Sequence, residues 1–198
     1  MITTQWDVLL LGGASGVGKS RVAAQLAQES GAFVVEFDDV VSAVQTITSA
    51  EQHPGLHHFD GVPDASPLDT ARVLELQIAT ANALELAVLG VVRNRLTVDV
   101  PAVVEGDYLT PAAAARAMRE GAAAGRRVRA VFLHEQDTAQ VTANYAEREP
   151  GSGIQSDRAD ISVRYSQWLA EQAVEHALPV VDCRPWGTLP QRIGQAVR

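Results

Sequence analysis

The stretch from Gly13 to Ser20 carries the residues of this chain that are best suited to chemistry. It reads G-x-x-x-x-G-K-S, with an apolar run at 8–11 before it and a helical apolar pattern after it. Glycines let a loop wrap a phosphate without Cβ clashes, and the N–H groups then face the anion at the positive end of the next helix. In such loops the lysine reaches the terminal phosphates and the serine ligates Mg²⁺. The sequence therefore predicts a nucleotide site made by Gly13, Ala14, Ser15, Gly16, Val17, Gly18, Lys19 and Ser20.

Lysine usage supports this interpretation. Lys19 is the only lysine in the chain, whereas arginine occurs fifteen times. A slim ammonium fits inside a glycine loop, and the planar fork of arginine does not. The alternative is an ordinary glycine turn before a helix, which the strand, loop and helix context disfavours.

Acidic residues follow two other apolar stretches. Asp38 and Asp39 follow residues 32–37, and Glu105 and Asp107 lie at the end of the next apolar run. We expect Asp38 to take a proton from an acceptor hydroxyl, or to orient that hydroxyl, with Asp39 capping the following helix or contacting the substrate. Glu105 is predicted to hold a Mg²⁺-bound water, and Asp107 to share that role or contact the acceptor. Helix caps and solvated loop acids are the alternatives.

The elements that must position these residues alternate along the chain. Apolar stretches predict strands at 6–12, 32–37, 101–105, 128–133 and 179–183, and helical patterns lie between them. The longest helix is expected to begin at Ser66 and Pro67 and to run to about Val92. Alternating strands and helices indicate an α/β fold in one domain, 1–198, around a mostly parallel five-stranded sheet. Ligands of such sheets bind at the carboxyl ends of the strands, where the glycine loop and the acids lie.

Composition limits the possible partners. The 198 residues are 46% hydrophobic and carry a net charge of −8, which disfavours a nucleic-acid or anionic-membrane partner. The single cysteine, Cys183, suits a reducing cytoplasm, and charges within 68–92 argue against a membrane span. His53, His57 and His58 lack the usual spacing of metal ligands. A homodimer is left open.

Three protein classes can be tested by motif. GTPases read their base with an Asn/Thr-Lys-x-Asp motif, which is impossible in a chain whose only lysine is Lys19. The signature of ABC-type ATPases, Leu-Ser-Gly-Gly-Gln, is absent from the sequence, and a helicase or motor would need a longer chain. A compact phosphotransferase and a nucleotide-binding module remain.

A family resemblance rests on four stretches. Residues 12–20, 35–40, 48–58 and 103–111 resemble the bacterial P-loop kinases labelled 2-phosphoglycerate kinase-like, and more broadly the adenylate-kinase-like kinases that include chloramphenicol phosphotransferase. The resemblance implies a P-loop three-layer sandwich of the nucleoside-monophosphate-kinase type. It also implies ATP, Mg²⁺ and transfer of the γ-phosphate to a small hydroxyl compound, with 2-phosphoglycerate as the named acceptor. Alternatives are an antibiotic or nucleoside phosphotransferase and, from another class, an ATP-binding sensor module without a dedicated acceptor.

The same resemblance suggests roles for several arginines. Residues 149–158 look like a small kinase lid, and residues 39–96 would form the acceptor side. Arg158 and Arg164 would then be catalytic, and Arg148 and Arg184 would bind nucleotide. Separately from the resemblance, Arg72 on the long helix is a candidate to bind an anionic acceptor, with a surface position as the alternative. The alternative is that the arginines near the lid lie on helix surfaces and pair with nearby carboxylates.

Overall fold

The computed structural model describes residues 5–58 and 69–198. Within them five strands form one sheet: β1 (Val8–Gly13), β2 (Phe33–Glu36), β3 (Ala102–Gly106), β4 (Val128–His134) and β5 (Val180–Asp182). The strand order is β2-β3-β1-β4-β5, and all four pairings are parallel. The predicted α/β architecture is confirmed, with the sheet wholly rather than mostly parallel.

Sheet order decides which loops meet. β1 occupies the centre, so the glycine loop that follows it lies between the loops after β3 and β4. Leu9, Leu10 and Leu11 are fully buried because helices cover both faces of the sheet. The glycine loop therefore leaves a rigid central strand, which fixes its position.

Eight helices complete the described part of the chain: α1 (Lys19–Ser30), α2 (Phe37–Ile47), α3 (Thr70–Ala83), α4 (Glu85–Arg95), α5 (Pro111–Ala123), α6 (Thr138–Arg148), α7 (Ser156–Glu175) and α8 (Leu189–Ala196). α1 and α8 contact each other, whereas α4, α5 and α7 form a separate connected layer. Together with the sheet, these make the three layers that the resemblance implied.

Two helix predictions need correction. The expected long helix is two helices, α3 and α4, which bend by 42° around the buried Leu84. Its described start is capped by Asp69, whose side chain accepts from the Arg72 N–H at 2.7 Å, while Ser66 and Pro67 lie outside the described residues. The second helix begins at Phe37, inside the stretch 32–37 that was predicted to be a strand.

Helix α2 changes the expected role of Asp39. Asp38 and Asp39 both lie inside its first turn, and the residue at the cap position is Glu36, which makes no side-chain capping bond. The predicted capping role of Asp39 is therefore wrong. Both carboxylates still favour the helix, because negative charge in a first turn complements the helix dipole.

No helix among the described residues is by itself long and apolar enough to cross a membrane. Only α3 and α4 taken together, across their bend, reach that length and composition. Buried core helices meet the same criterion, and Val88, Leu89 and Val92 of α4 face the core.

Candidate active site

The glycine loop is packed tightly against two aromatic side chains. Gly18 has φ +94°, and a Cβ there would lie 2.4 Å from the Trp186 ring. Gly16 has φ +75°, and its Cβ would lie 2.9 Å from Tyr145. Glycine is required at both positions because the backbone is left-handed and the space is filled. The loop ends where α1 begins, so its N–H groups and the helix dipole favour an anion there.

Two polar side chains from α6 and α7 hold the loop from the outside. Asn144 Nδ2 donates to the Gly16 carbonyl at 2.7 Å, and Ser162 Oγ donates to the Ser15 carbonyl. Both bonds span more than 120 residues of sequence. No sequence motif predicts these two hydrogen bonds. Ser162, however, lies on the buried stripe of α7 with Ala159 and Tyr165, where a polar residue needs a hydrogen-bond partner.

Lys19 is buried beneath the loop, and its ammonium contacts two groups of the protein. Its ammonium donates to the Ala14 carbonyl at 2.9 Å and forms an ion pair with Asp107. Burial acts to lower the pKa of Lys19, but the carboxylates of Asp107, Glu105 and Asp38 together outweigh burial and raise that pKa above its ordinary value. The lysine is therefore charged, and a phosphate that binds it must compete with Asp107.

Asp107 joins three parts of the site. Its carboxylate pairs with Lys19, its backbone N–H donates to Asp38 Oδ1 at 3.4 Å, and its carbonyl accepts from the Tyr165 hydroxyl at 3.0 Å. Tyr165 is fully buried in α7. The main chain of Asp107 is thus fixed by α2 and α7, while the only contact holding its carboxylate is that with Lys19 among the described residues.

Glu105 and Ser20 form the pair expected for magnesium. Glu105 is buried, and Ser20 lies beside it in the lining of the same cleft. Burial raises the pKa of Glu105, although Lys19 and Ser20 oppose that shift. No three ligand side chains cluster to hold a metal by themselves among the described residues. This arrangement fits Mg²⁺, which binds through few protein groups and keeps phosphates and waters as its other ligands.

An open cleft of about 640 Å³ runs across the carboxyl ends of the strands. Predicted site residues that line it are Ser15, Gly16, Gly18, Lys19, Ser20, Asp38, Glu105, Asp107, Arg148 and Arg184. The other lining residues are Arg21, Gln140, Asn144, Glu147 and Trp186. Three separate stretches therefore converge on one cleft, as the strand ends predicted.

Among the acidic residues of the cleft, Asp38 best fits the role of a general base. It lines the cleft beside Asp107. Burial and the Asp107 carboxylate raise the pKa of Asp38, while Lys19 opposes the shift. A carboxylate with a raised pKa binds a proton more readily than an ordinary aspartate does.

The predicted lid arginines form ion pairs with carboxylates that are close to them in sequence. Arg148 and Arg158 stack on the Tyr145 ring, with guanidinium carbons 5.2 and 4.3 Å from its centre. Both donate to Glu149, at 2.7 and 2.8 Å, and Arg148 is the strongest cause that lowers the pKa of Glu149 to about 2. Arg164 pairs with Asp160 along α7 at 2.8 Å. Of these arginines, only Arg148 lines the cleft.

Two other predicted substrate residues lie apart from the cleft lining. Arg72 is half-exposed on α3 and pairs with Glu75 at 2.8 Å. Asp39 is exposed on α2. The structure does not bring either side chain to the P-loop.

The far end of the cleft is aromatic and cationic. Trp186 lies between the guanidinium groups of Arg21 and Arg184, at 5.4 and 5.9 Å from their carbons. Arg184 also approaches the buried Glu135 at 3.5 Å. A flat base can stack on such a ring while its phosphates lie on the glycine loop beside Gly18.

A family model covers most of the chain. Residues 8–181 match the family model described as AAA domain. The chain belongs to this family. No curated protein matches this AAA domain chain in sequence.

Several solved structures with this fold are small-molecule kinases by name. Shikimate kinase from Acinetobacter baumannii, in complex with shikimate, is 14% identical at a TM-score of 0.57, over 96% of this chain and 92% of its own. A gluconokinase from Sinorhizobium meliloti 1021 is 18% identical at 0.54, over 98% and 93%. A sugar kinase from Janibacter sp. HTCC2649 is 19% identical at 0.55, over 96% and 94%. At these identities the likeness is one of fold, and this AAA domain has the P-loop kinase fold.

Proposed function

We propose that this protein is an ATP- and Mg²⁺-dependent kinase that transfers the γ-phosphate to a hydroxyl of a small molecule. The observation that carries the proposal is that Asp38 shares one open cleft with Lys19 and the glycine loop. A nucleotide sensor would need only the loop. A carboxylate with a raised pKa in open space next to the phosphate site is what an acceptor hydroxyl requires.

Each residue has a defined task in the transfer. The glycine loop and Lys19 hold the β- and γ-phosphate oxygens, while Asp38 accepts the proton of the acceptor hydroxyl as its oxygen bonds to the γ-phosphorus. The bond from that phosphorus to the β,γ-bridging oxygen breaks, and ADP leaves. Ser20, and Glu105 through a water, would hold Mg²⁺, which would supply charge neutralisation there. Arg148 lies where it can neutralise the phosphates, whereas Arg158 and Arg164 can do so only after leaving Glu149 and Asp160.

The remaining expectations are part of the same proposal. The whole chain acts as one kinase domain in the cytoplasm, with 149–158 as its lid and the helices within 39–96 on the acceptor side. Nucleotide and acceptor are its partners, with no role for nucleic acid or membrane. The resemblance names 2-phosphoglycerate as acceptor, and no comparison supports that name. An antibiotic or nucleoside acceptor is the second candidate, and the open cleft beside Asp38 disfavours the sensor module.

The experiment is an acceptor screen with a loop variant as control. Purified protein with ATP and Mg²⁺ is incubated with sugars, nucleosides, phosphoglycerates and antibiotics, and ADP release and product mass are measured. Lys19→Ala should retain its fold by circular dichroism and lose turnover. Turnover that persists in folded Lys19→Ala would falsify the assigned site.

A further inference from the structure

The charges in the cleft are separated by the order of the strands. β1 and its glycine loop lie in the middle of the sheet. On the side of β4 and β5 the cleft is lined by Arg148, from the helix after β4, and by Arg184, which follows β5. On the side of β2 and β3 it is lined by three carboxylates, Asp38, Glu105 and Asp107. Glu147 also lines the β4 side, but the nucleotide phosphates match its two arginines, and Mg²⁺ would occupy Ser20 and Glu105, so the acceptor is left with Asp38 and Asp107.

Lys19 neutralises the acidic side only while no nucleotide is bound. Its ammonium is the one cation in contact with Asp107 among the described residues. When the triphosphate takes Lys19, the Asp107 carboxylate loses its ion-pair partner. Its main chain cannot carry it away, because the bonds to Asp38 and Tyr165 fix the backbone. A carboxylate so placed is stabilised by a new cation.

No arginine of the acceptor side, 39–96, lines the cleft to replace Lys19. Arg72 and Arg93 pair with Glu75 and Glu120, and Arg95 donates to Asn94. Residues 59–68, which the structure does not describe, contain two aspartates and neither lysine nor arginine.

We propose that the acceptor is an amine-bearing hydroxyl compound, whose ammonium binds Asp107 and whose hydroxyl faces Asp38. The inference rests on the proposed kinase function and deepens it. The proposed kinase function depends on the glycine loop and the open cleft. The carboxylates determine only which charge a bound acceptor should carry. A carboxylate- or phosphate-bearing acceptor, including 2-phosphoglycerate, would meet like charges there without a guanidinium to receive it.

The test uses matched compounds that differ in charge. One set is 2-amino-1,3-propanediol, glycerol and glycerate, and the other is glucosamine, glucose and glucuronate. Calorimetry measures the affinity of each for the protein saturated with Mg²⁺ and a non-hydrolysable ATP analogue. We expect the amine to bind about 10- to 100-fold more tightly than the anion of the same set, the usual effect of one charge-assisted contact. The neutral compound should lie between them.

Two variants assign the effect to Asp107. Asp107→Asn should lose the preference for the amine over the neutral compound, whereas Asp39→Asn, which removes a charge outside the cleft, should keep it. Absence of an amine preference in both sets, including absence of any binding, overturns the proposal. If Asp107→Asn does not fold, the order of affinities in the wild-type protein decides alone.

Failure of this inference can be told from failure of the kinase function. The same compounds are incubated with ATP, and phosphorylated product is detected by mass. Phosphorylation of glycerate or glucuronate in preference to the amines leaves the kinase function standing and overturns the charge inference. Preferred amine binding with no transfer to any acceptor in either screen supports the charge inference and argues against the kinase.

Discussion

Two neighbouring aspartates at the start of α2 differ in what they contact. Both are exposed, but Asp38 lines the cleft and accepts from the Asp107 N–H, whereas Asp39 lies outside the lining. We expect Asp38→Asn to lower the transfer rate by ~10²–10⁴, the usual contribution of a positioned base. Affinity for an ATP analogue should change by no more than a few-fold. Single-turnover transfer and calorimetry measure the two effects.

Asp39→Asn is the control for this prediction. It makes the same chemical change one residue away and should leave the transfer rate close to that of the wild type. A wild-type rate in Asp38→Asn with a slow Asp39→Asn would reverse the two assignments. If both variants transfer at the wild-type rate, the base lies elsewhere or the loose transition state needs none.

A second prediction concerns the ion pair between Lys19 and Asp107. Phosphate binding to Lys19 must displace the Asp107 carboxylate, so removing that carboxylate should strengthen binding. We expect Asp107→Asn to bind pyrophosphate about 10-fold more tightly, since a charged contact no longer has to be broken. Calorimetry without metal measures this and keeps magnesium out of the comparison.

Glu147→Gln is a matched control for the ion-pair prediction. It removes a carboxylate that lines the same cleft but does not touch Lys19. Equal strengthening in both variants would mean that general charge, rather than the ion pair, opposes the anion. Weaker binding in Asp107→Asn would instead mean that Asp107 positions the Lys19 ammonium for the phosphates.

At the scale of elements, the connection between α6 and α7 is the part most able to move. Residues 149–155 lie between these helices, and Ile154 is 88% exposed. Within the loop, Glu149 holds the arginines at its two ends. Nucleotide phosphates that attract Arg148 would draw the loop over the cleft. We expect amide exchange at 149–155 to slow by about 10-fold or more with a non-hydrolysable ATP analogue.

Helix α5 is the internal reference for that exchange experiment. It packs against β4 and α7 and contributes no residue to the cleft lining, so its exchange should not respond to nucleotide. Equal exchange at 149–155 with and without the analogue would show that this loop is not a lid.

The strands could be predicted well from the sequence, and the helix boundaries less well. Buried parallel strands are near-continuous apolar runs, which is why the runs at β1, β3 and β4 gave the correct elements. The first residues of α2 resemble a strand, since Phe37 is apolar and fully buried. The break between α3 and α4 falls at Leu84, where neither glycine nor proline signals it.

The same limit applies to the site. Lys19, Ser20, Glu105 and Asp38 were predictable because each lies at the end of a strand or in a local motif. The contact of Asn144 with the glycine loop was not, since it joins residues 128 positions apart and depends on how α6 lies over the sheet. The carboxylate partners of the arginines were foreseen only as an alternative to lid contacts.

At the scale of the whole molecule, the acidic cleft should cost stability. The protein has a net charge of −8, and it places Asp38 and Glu105 where burial raises the pKa of each. A folded-state pKa above the unfolded value means that the folded chain binds more protons between the two values. Stability contributed by these groups is then present below the unfolded pKa and is lost as pH rises through the folded pKa.

Asp38→Asn should therefore make the protein more stable at neutral pH while it slows the reaction. The amide cannot ionise, yet its oxygen can still accept from the Asp107 N–H. The gain over the wild type should be near zero below pH 3.8, the ordinary value of the group, and should grow as pH rises through the raised folded value to a plateau. Urea unfolding at a series of pH values measures the difference, with Asp39→Asn as the matched charge removal. A gain that shrinks with rising pH would mean that the Asp38 carboxylate stabilises the fold, and that its partners, Lys19 first, outweigh burial and Asp107.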